Sequence, residues 1–134
     1  MVLSVDDSLL MRSNAINWQQ FATDLGGIET ILEPTQLSKL SKDYYHFSPI
    51  LTGQLKDKHG DLVVRPKTES EVLTVAKACV AAQVPITIRG AGTGNYGQAI
   101  PLAGGVILDL SAMTAVEWVK PGRTCVEPGI KLAA

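Results

Sequence analysis

Four glycines between residues 90 and 97, directly after a β-branched segment at residues 86–88, constrain the fold of this chain most. Glycine has no Cβ, so its backbone can approach a ligand closely, and successive exposed amides can form an anion-binding concavity. Thr93 adds a hydroxyl donor within the segment. The sequence therefore predicts a phosphate-binding loop at residues 89–98, with a tight surface turn as the structural alternative.

Residues 92–97 also match G-x-G-x-x-G, the fingerprint of a Rossmann dinucleotide site. That site requires a helix that starts within the motif and faces the diphosphate with its N-terminus. Residues 98–105 contain Pro101 and two glycines and lead into an apolar run at 106–108, so a helix has no room there. Asp109 also comes too early for the ribose-binding acid, and no Walker A G-K-[ST] follows. We therefore expect loop amides, and not a helix dipole, to hold the phosphate.

The segment before this loop predicts a strand–helix–strand unit. Residues 62–64 are a short apolar run typical of a buried strand, and Pro66 ends it. Thr68 and Glu71 form a capping box at the start of a helix. The helix has one apolar stripe, which makes its cysteine a core residue: Val72, Val75, Ala76, Cys79 and Val80. With the run at 86–88 this makes a βαβ unit, whose strands should be parallel with a right-handed crossover.

The remaining sequence predicts two helices, a long connection and three strands. One helix begins at Asn14 and stops before two glycines at 26–27, and a second begins at Pro34. Residues 43–60 are predicted as the connection. The strands are expected at residues 106–108, 115–119 and 124–127, the last two joined by a turn at Pro121 and Gly122. The predicted fold class is therefore α+β, with a βαβ unit and a mixed sheet.

Composition narrows the classes of partner. The hydrophobic fraction is 46% and the charged fraction 19%, which favours a packed globular chain over disorder. The net charge is −1 and the lysines and arginines are scattered, which argues against nucleic acid. Cys79 and Cys125 lack metal-ligand spacing, so we expect neither a metal site nor a disulfide framework. No apolar stretch reaches membrane-spanning length, and we expect a cytoplasmic protein without integral membrane association.

Several motifs occur together in a fixed order along the chain. They are Val-Val-Arg-Pro at 63–66, the capped helix, Pro-Ile-Thr-Ile-Arg-Gly-Ala-Gly-Thr-Gly at 85–94, Ala-Ile-Pro at 99–101, Gly-Gly-Val-Ile-Leu-Asp-Leu at 104–110, Met113 and Glu-Pro-Gly at 127–129. In this combination the chain resembles the FAD-linked oxidases of the vanillyl-alcohol oxidase and p-cresol methylhydroxylase (PCMH) superfamily. Within it, the chain is most similar to enzymes of the glycolate oxidase and D-lactate dehydrogenase type. The resemblance implies an N-terminal extension at 1–25 and, at 26–134, a PCMH-type FAD-binding domain that is incomplete at its C-terminus: its first lobe and the start of the second.

The resemblance implies an FAD site and assigns residues to it. Pro66 would lie near the adenine end of FAD. The diphosphate would be cradled by the amides of Arg89, Gly90, Ala91, Gly92, Thr93, Gly94 and Asn95. The rest of the cofactor channel would be lined by Gly97, Gln98, Pro128 and Gly129. Many relatives carry glycine in place of Gln98, and members that bind FAD covalently through this region carry a histidine in or beside the loop. This loop has none, so the expectation is non-covalent FAD.

What the resemblance implies for activity is a flavin-dependent oxidation of a 2-hydroxy acid of the glycolate or D-lactate type. The substrate-orienting and basic residues of such enzymes lie mainly in later segments, so no catalytic residue is assigned. Three hypotheses remain open. The first is part of an oxidoreductase whose C-terminal remainder lies in another chain or in a downstream reading frame. The second is an inactive truncated remnant. The third is a stand-alone nucleotide-binding or assembly module that exposes apolar surface to a partner.

Five other side chains have both a functional and a structural interpretation. Histidine is a common general base, so His46 and His59 could act in that role, but both fall in the predicted connection. Asp109 could contact a cofactor hydroxyl or satisfy a turn. Trp118 could stack on a flavin or lie in a half-buried strand. Arg89 could offset a diphosphate or be solvated at the end of its strand.

Overall fold

The computed structural model describes residues 15–131, which form an α+β fold as predicted. The helices are α1 (Trp18–Asp24), α2 (Pro34–Leu40), α3 (Pro49–Leu55) and α4 (Glu69–Ala82), with 3₁₀ turns at Tyr45–Phe47 and Leu110–Ala112. The strands are β1 (Glu29–Ile31), β2 (Leu62–Arg65), β3 (Ile86–Arg89), β4 (Val106–Asp109), β5 (Val116–Lys120) and β6 (Arg123–Val126). The first helix begins at Trp18, where the Asn17 side chain accepts from the Gln20 amide, and the predicted start at Asn14 lies outside the described residues.

A mixed sheet with the strand order β1-β2-β4-β3 organises the chain. Strands β2 and β3 are both parallel to β4, which lies between them, and β1 is antiparallel to β2. The predicted parallel arrangement of β2 and β3 is confirmed. Their carboxyl ends and that of β4 therefore lie at one edge of the sheet, which is where open α/β sheets bind ligands.

The core lies between this sheet and α4. Leu62, Val64, Val106 and Leu108 are buried and pack with Val75 and Cys79 of α4. Strands that are buried on both faces have continuous apolar sequences. This is why β2 and β4 could be predicted from their apolar runs. Burial raises the pKa of the Cys79 thiol to about 11, in keeping with a core residue. The prediction for Val80 was wrong: its side chain is 75% exposed, because the stripe of α4 that faces the sheet is centred on Val75 and Cys79.

The start of α4 differs from the predicted capping box in one detail. The Thr68 hydroxyl accepts from the Glu71 amide at 3.2 Å, as expected. The Glu71 carboxylate instead accepts from the amide of Lys67, one residue before the cap, at 2.6 Å. Both interactions satisfy amides at the helix entrance, which carry no partner within the helix itself.

The prediction for residues 43–60 was wrong, because this segment contains the first 3₁₀ turn and helix α3. Pro49 occupies the first turn of α3, and the Ser48 hydroxyl accepts from the Leu51 amide at 3.3 Å. A serine cap followed by proline is a helix-start signal, so Ser48 and Pro49 could have predicted this helix from the sequence. Strand β1 was also missed, since three edge residues give too short a pattern to detect.

Strands β5 and β6 form a separate antiparallel hairpin, close to the bounds expected from the sequence. Gly122 takes a φ of +75° in its turn. Every residue of β5 is exposed, including Val119 at 73%. Trp118 is 40% exposed and lies beneath the cationic groups of Lys120 and Arg123, at 4.8 and 5.8 Å from its ring centroid. Within residues 15–131 no helix is long and apolar enough to cross a membrane.

Candidate cofactor site

The glycine loop joins β3 to β4 without an intervening helix. The residues from 90 to 105 form turns and irregular structure only. The sequence-based exclusion of a Rossmann site is therefore confirmed, because no helix begins within residues 90–105. Any anion bound here must be held by the loop backbone and by side chains.

Five consecutive amides of the loop lack an acceptor. The backbone N–H groups of residues 91–95 donate to no acceptor within the described residues 15–131. The next amide, of Tyr96, donates to the Gln98 side chain at 3.1 Å. A row of free amides in a glycine-rich segment is the arrangement that binds phosphate oxygens. The geometry thus fits the diphosphate of a dinucleotide cofactor.

Arg89 fixes the start of the loop. Its side chain is 8% exposed, so the alternative that it is solvated at the strand end was wrong. Nη1 donates to the carbonyl oxygens of Leu40 and Lys42 at 2.5 and 2.9 Å. Gly92 has a φ of +66°, and a Cβ there would overlap the Arg89 guanidinium. Gly92 is therefore required by the packing of this arginine as well as by backbone conformation.

The Gln98 side chain forms a hydrogen bond within the C-terminal end of the loop. Its Oε1 accepts from the Tyr96 amide, and a Cβ on Gly94 would lie 2.6 Å from that oxygen. Gly97 has a φ of +82°, and a Cβ there would lie 2.6 Å from Cδ1 of Leu55 on α3. The Gln98 side chain thus stabilises the loop by accepting a hydrogen bond from the loop backbone. Its predicted contact with the cofactor stays a prediction.

Asp43 lies beneath the loop and was not singled out in the sequence. One carboxylate oxygen, Oδ1, accepts from the Tyr45 amide at 2.8 Å, whereas Oδ2 is buried and has no partner within the described residues. The Tyr44 amide donates to the Gly94 carbonyl at 2.8 Å, so the segment that carries Asp43 is bonded to the loop. An aspartate inside a predicted connection gave no signal of this contact, which depends on the tertiary fold.

The structure brings two of the predicted site segments together. A Cβ on Gly90 would lie 3.6 Å from the Pro128 carbonyl oxygen. Gly129 donates its amide to the Met113 carbonyl at 2.7 Å, and a Cβ there would overlap the Leu110 carbonyl oxygen. The Pro128 segment is therefore packed on the second 3₁₀ turn beside the start of the glycine loop. Pro66 is fully buried at the same sheet edge, immediately after β2.

Asp109 stabilises this edge of the sheet through two hydrogen bonds. Its Oδ2 accepts from Arg65 Nε at 2.9 Å, and its Oδ1 accepts from the Ser111 amide at 3.0 Å. Arg65 also pairs with Glu29 at 2.6 Å. Burial lowers the pKa of Arg65, but the two carboxylates more than offset this and the pKa is raised. Since both Asp109 oxygens are engaged, the turn interpretation is the one the structure supports.

The histidines show no catalytic arrangement. The His46 ring stacks near Phe47, with centroids 4.5 Å apart, and near Tyr44 at 5.9 Å. His59 is exposed. Among residues 15–131 neither histidine forms an ion pair, and no group of three or more His, Cys, Asp or Glu side chains could hold a metal ion.

Comparison with known proteins identifies the family. The model of the FAD binding domain matches residues 60–134, more than half of the chain and all of its glycine loop. The chain belongs to the FAD binding domain family. This family membership supports FAD as the ligand of the domain.

Two curated relatives share this part of the sequence. The mitochondrial D-lactate dehydrogenase (cytochrome) of Arabidopsis thaliana is 33% identical over 105 residues, covering 77% of this chain and 18% of the relative. Glycolate oxidase subunit GlcD of Escherichia coli K12 is 38% identical over 72 residues, covering 52% of this chain and 14% of the relative. The chain thus spans less than a fifth of the length of either relative.

Solved structures confirm the predicted fold type. Alkyldihydroxyacetonephosphate synthase matches 86% of this chain and 25% of its own, with a TM-score of 0.69 and 22% identity. The p-cresol methylhydroxylase structure with bound substrate matches 95% of this chain and 24% of its own, with a TM-score of 0.64 and 24% identity. The predicted PCMH-type fold is therefore confirmed.

Proposed function

We propose that this chain binds FAD non-covalently as the diphosphate-binding part of an oxidoreductase that acts on a 2-hydroxy acid of the glycolate or D-lactate class. The names of the two relatives support the substrate class. The absence of histidine from residues 89–98 supports non-covalent binding. The observation that carries the proposal is the row of free amides at residues 91–95.

In this proposal the chain binds and orients the cofactor. The amides of residues 89–95 donate to the diphosphate oxygens, and Pro66 lies at the adenine end. Gly97, Gln98, Pro128 and Gly129 line the remaining channel, and the closeness of Gly90 to Pro128 supports this arrangement. Bound FAD would supply the acceptor for a hydride from the α-carbon of the substrate. No residue of this chain is assigned a proton-transfer role.

The test exploits a glycine that the free protein does not need. Gly90 has no positive φ, and a Cβ there meets only the Pro128 carbonyl, at an ordinary 3.6 Å. Gly90→Ala should therefore fold normally, but its methyl group would lie between the loop and Pro128, where we propose that FAD binds. We expect FAD affinity, measured by flavin fluorescence titration, to fall at least about tenfold, or about 1.4 kcal/mol.

The matched control is Gly53→Ala in α3, where a Cβ meets nothing within 4 Å. It should leave FAD affinity unchanged and raise stability by up to about 1 kcal/mol, because alanine favours helix. A wild-type chain that stays colourless and ignores FAD would contradict the proposal. So would a Gly90→Ala protein that binds FAD as the wild type does.

We further propose that the exposed hairpin packs against another part of the FAD-binding domain, which a separate chain could supply. The support is the exposure of Val116 and Val119 at 54% and 73% on one short ribbon. Under this proposal residues 26–134 act as a partial domain behind an extension at 1–25, in a reducing cytoplasm where Cys79 and Cys125 stay free. Co-purification of a partner at a constant ratio tests it, and monomeric wild-type protein would count against it.

A further inference from the structure

An open pocket of about 700 Å³ lies on the side of the glycine loop that faces α2. The end of α2 and the following segment form one wall, and Ala91 and Gly92 of the loop form another. The pocket therefore gives access to the first of the free amides. Its charged lining residues are Lys39, Lys42, Asp43 and Arg89.

The cations of this pocket are available to a ligand in different degrees. Arg89 is buried and its Nη1 is committed to the carbonyls of Leu40 and Lys42, so it contributes a fixed charge more than a free donor. Lys39 and Lys42 are exposed, and neither forms an ion pair within the described residues. Their ammonium groups are flexible point charges, suited to phosphate oxygens.

The pocket also contains one opposing charge. Asp43 is 7% exposed, and its unpartnered Oδ2 lies 3.4 Å from the position of a Cβ on Gly94. Three cationic groups thus face one carboxylate, and the balance favours an anion. A neutral ligand would gain nothing from this arrangement.

We propose that Lys39 and Lys42 bind the diphosphate of the cofactor from the α2 side, completing the site whose other donors are the loop amides. The inference rests on the proposed FAD function and adds two residues that sequence motifs do not mark. It also fixes the direction of approach: the diphosphate lies between the loop and the end of α2. Charge pairs at such an exposed site are screened by salt.

The experiment measures FAD binding to Lys39→Ala, Lys42→Ala and the double variant of the full chain, at low and at high ionic strength. Each single variant should bind FAD about fivefold more weakly at low salt, and the double variant about 25-fold, the range of a partly exposed charge pair. The loss should shrink at high salt. Lys42→Arg should retain most of the affinity, because it keeps the charge.

Lys77→Ala on the exposed face of α4 is the matched control, since this lysine does not line the pocket. It should leave both FAD affinity and its salt dependence unchanged. If the wild type binds FAD and the Lys39 and Lys42 variants match Lys77→Ala, the inference is overturned while the proposed function stands. If the wild type does not bind FAD, the proposed function itself fails, and the inference fails with it.

Discussion

The glycine loop and the β5–β6 hairpin are both connections with exposed residues, yet they are held in opposite ways. The loop is bonded to the rest of the fold through Arg89, Tyr44 and the packing of Gly97 on Leu55. The hairpin is held mainly by its own ladder, and both of its strands are largely exposed. The loop is therefore anchored to the fold at several points, whereas the hairpin leaves apolar side chains such as Val119 exposed.

The largest expected effect tests the loop side of this comparison. Arg89→Ala removes the donor to two carbonyls and leaves a buried space, so the free energy of unfolding should fall by about 2 to 4 kcal/mol. Arg123→Ala on the hairpin removes only a cation over Trp118 and should cost less than about 1 kcal/mol. Urea unfolding of both variants measures the difference. Equal effects would show that the loop is no more firmly anchored than the hairpin.

Two glycines with the same backbone requirement sharpen the comparison. Gly92 and Gly122 have φ values of +66° and +75°, but a Cβ on Gly122 meets nothing within 4 Å, whereas one on Gly92 overlaps Arg89. Gly122→Ala should cost about 1 kcal/mol for left-handed strain alone. Gly92→Ala should cost about 2 to 3 kcal/mol, because the arginine must also move.

Thermal or urea unfolding separates these two contributions. The double variant Gly92→Ala with Arg89→Ala supplies the control: with the guanidinium gone, the alanine should add only the backbone strain. A Gly92→Ala loss no greater than that of Gly122→Ala would mean that Arg89 adapts without cost.

A smaller effect of the opposite sign is expected at Asp43. Asp43→Asn keeps an oxygen for the Tyr45 amide and removes the charge from the unpartnered, buried position. Unpaired buried charges are unfavourable, so the free protein should gain between nothing and about 1 kcal/mol. Asp43→Ala, which also removes the acceptor of the Tyr45 amide, should instead lose about 1 kcal/mol. A clear loss of stability in Asp43→Asn would show that Oδ2 has a partner after all.

Local sequence patterns predicted the parts of the fold that local physics determines. Strands β2 and β4, the capped helix α4 and the helix-free glycine loop all follow from apolar runs, a cap and the spacing of glycine and proline. The anchors of the loop could not be read this way. Arg89 contacts carbonyls 49 and 47 residues earlier in the chain, and Asp43 comes close to Gly94 only in the folded chain.

The exposure of Val80 also shows that local sequence patterns do not determine tertiary packing. Its spacing fits the apolar stripe of α4, but the width of the surface that the sheet covers is a tertiary property. A stripe predicts which face turns inward, and the partner element decides how much of that face is covered.

The last contrast uses the two cysteines, Cys79 on the buried face of α4 and Cys125 on the hairpin. Burial raises the pKa of Cys79 to about 11 from an ordinary 9.0, so above pH 9 the unfolded chain loses this proton while the folded chain keeps it. Because the folded state then binds more protons, the contribution of Cys79 makes stability fall as the pH rises from 9 toward 11. Urea unfolding across this range should show a shallower decline for Cys79→Ala than for the wild type, whereas Cys125→Ala on β6 should keep the wild-type slope. Thiol labelling of the native protein should modify Cys125 well before Cys79. Equal labelling rates would place Cys79 outside the firmly packed region and remove the contrast between the core and the hairpin.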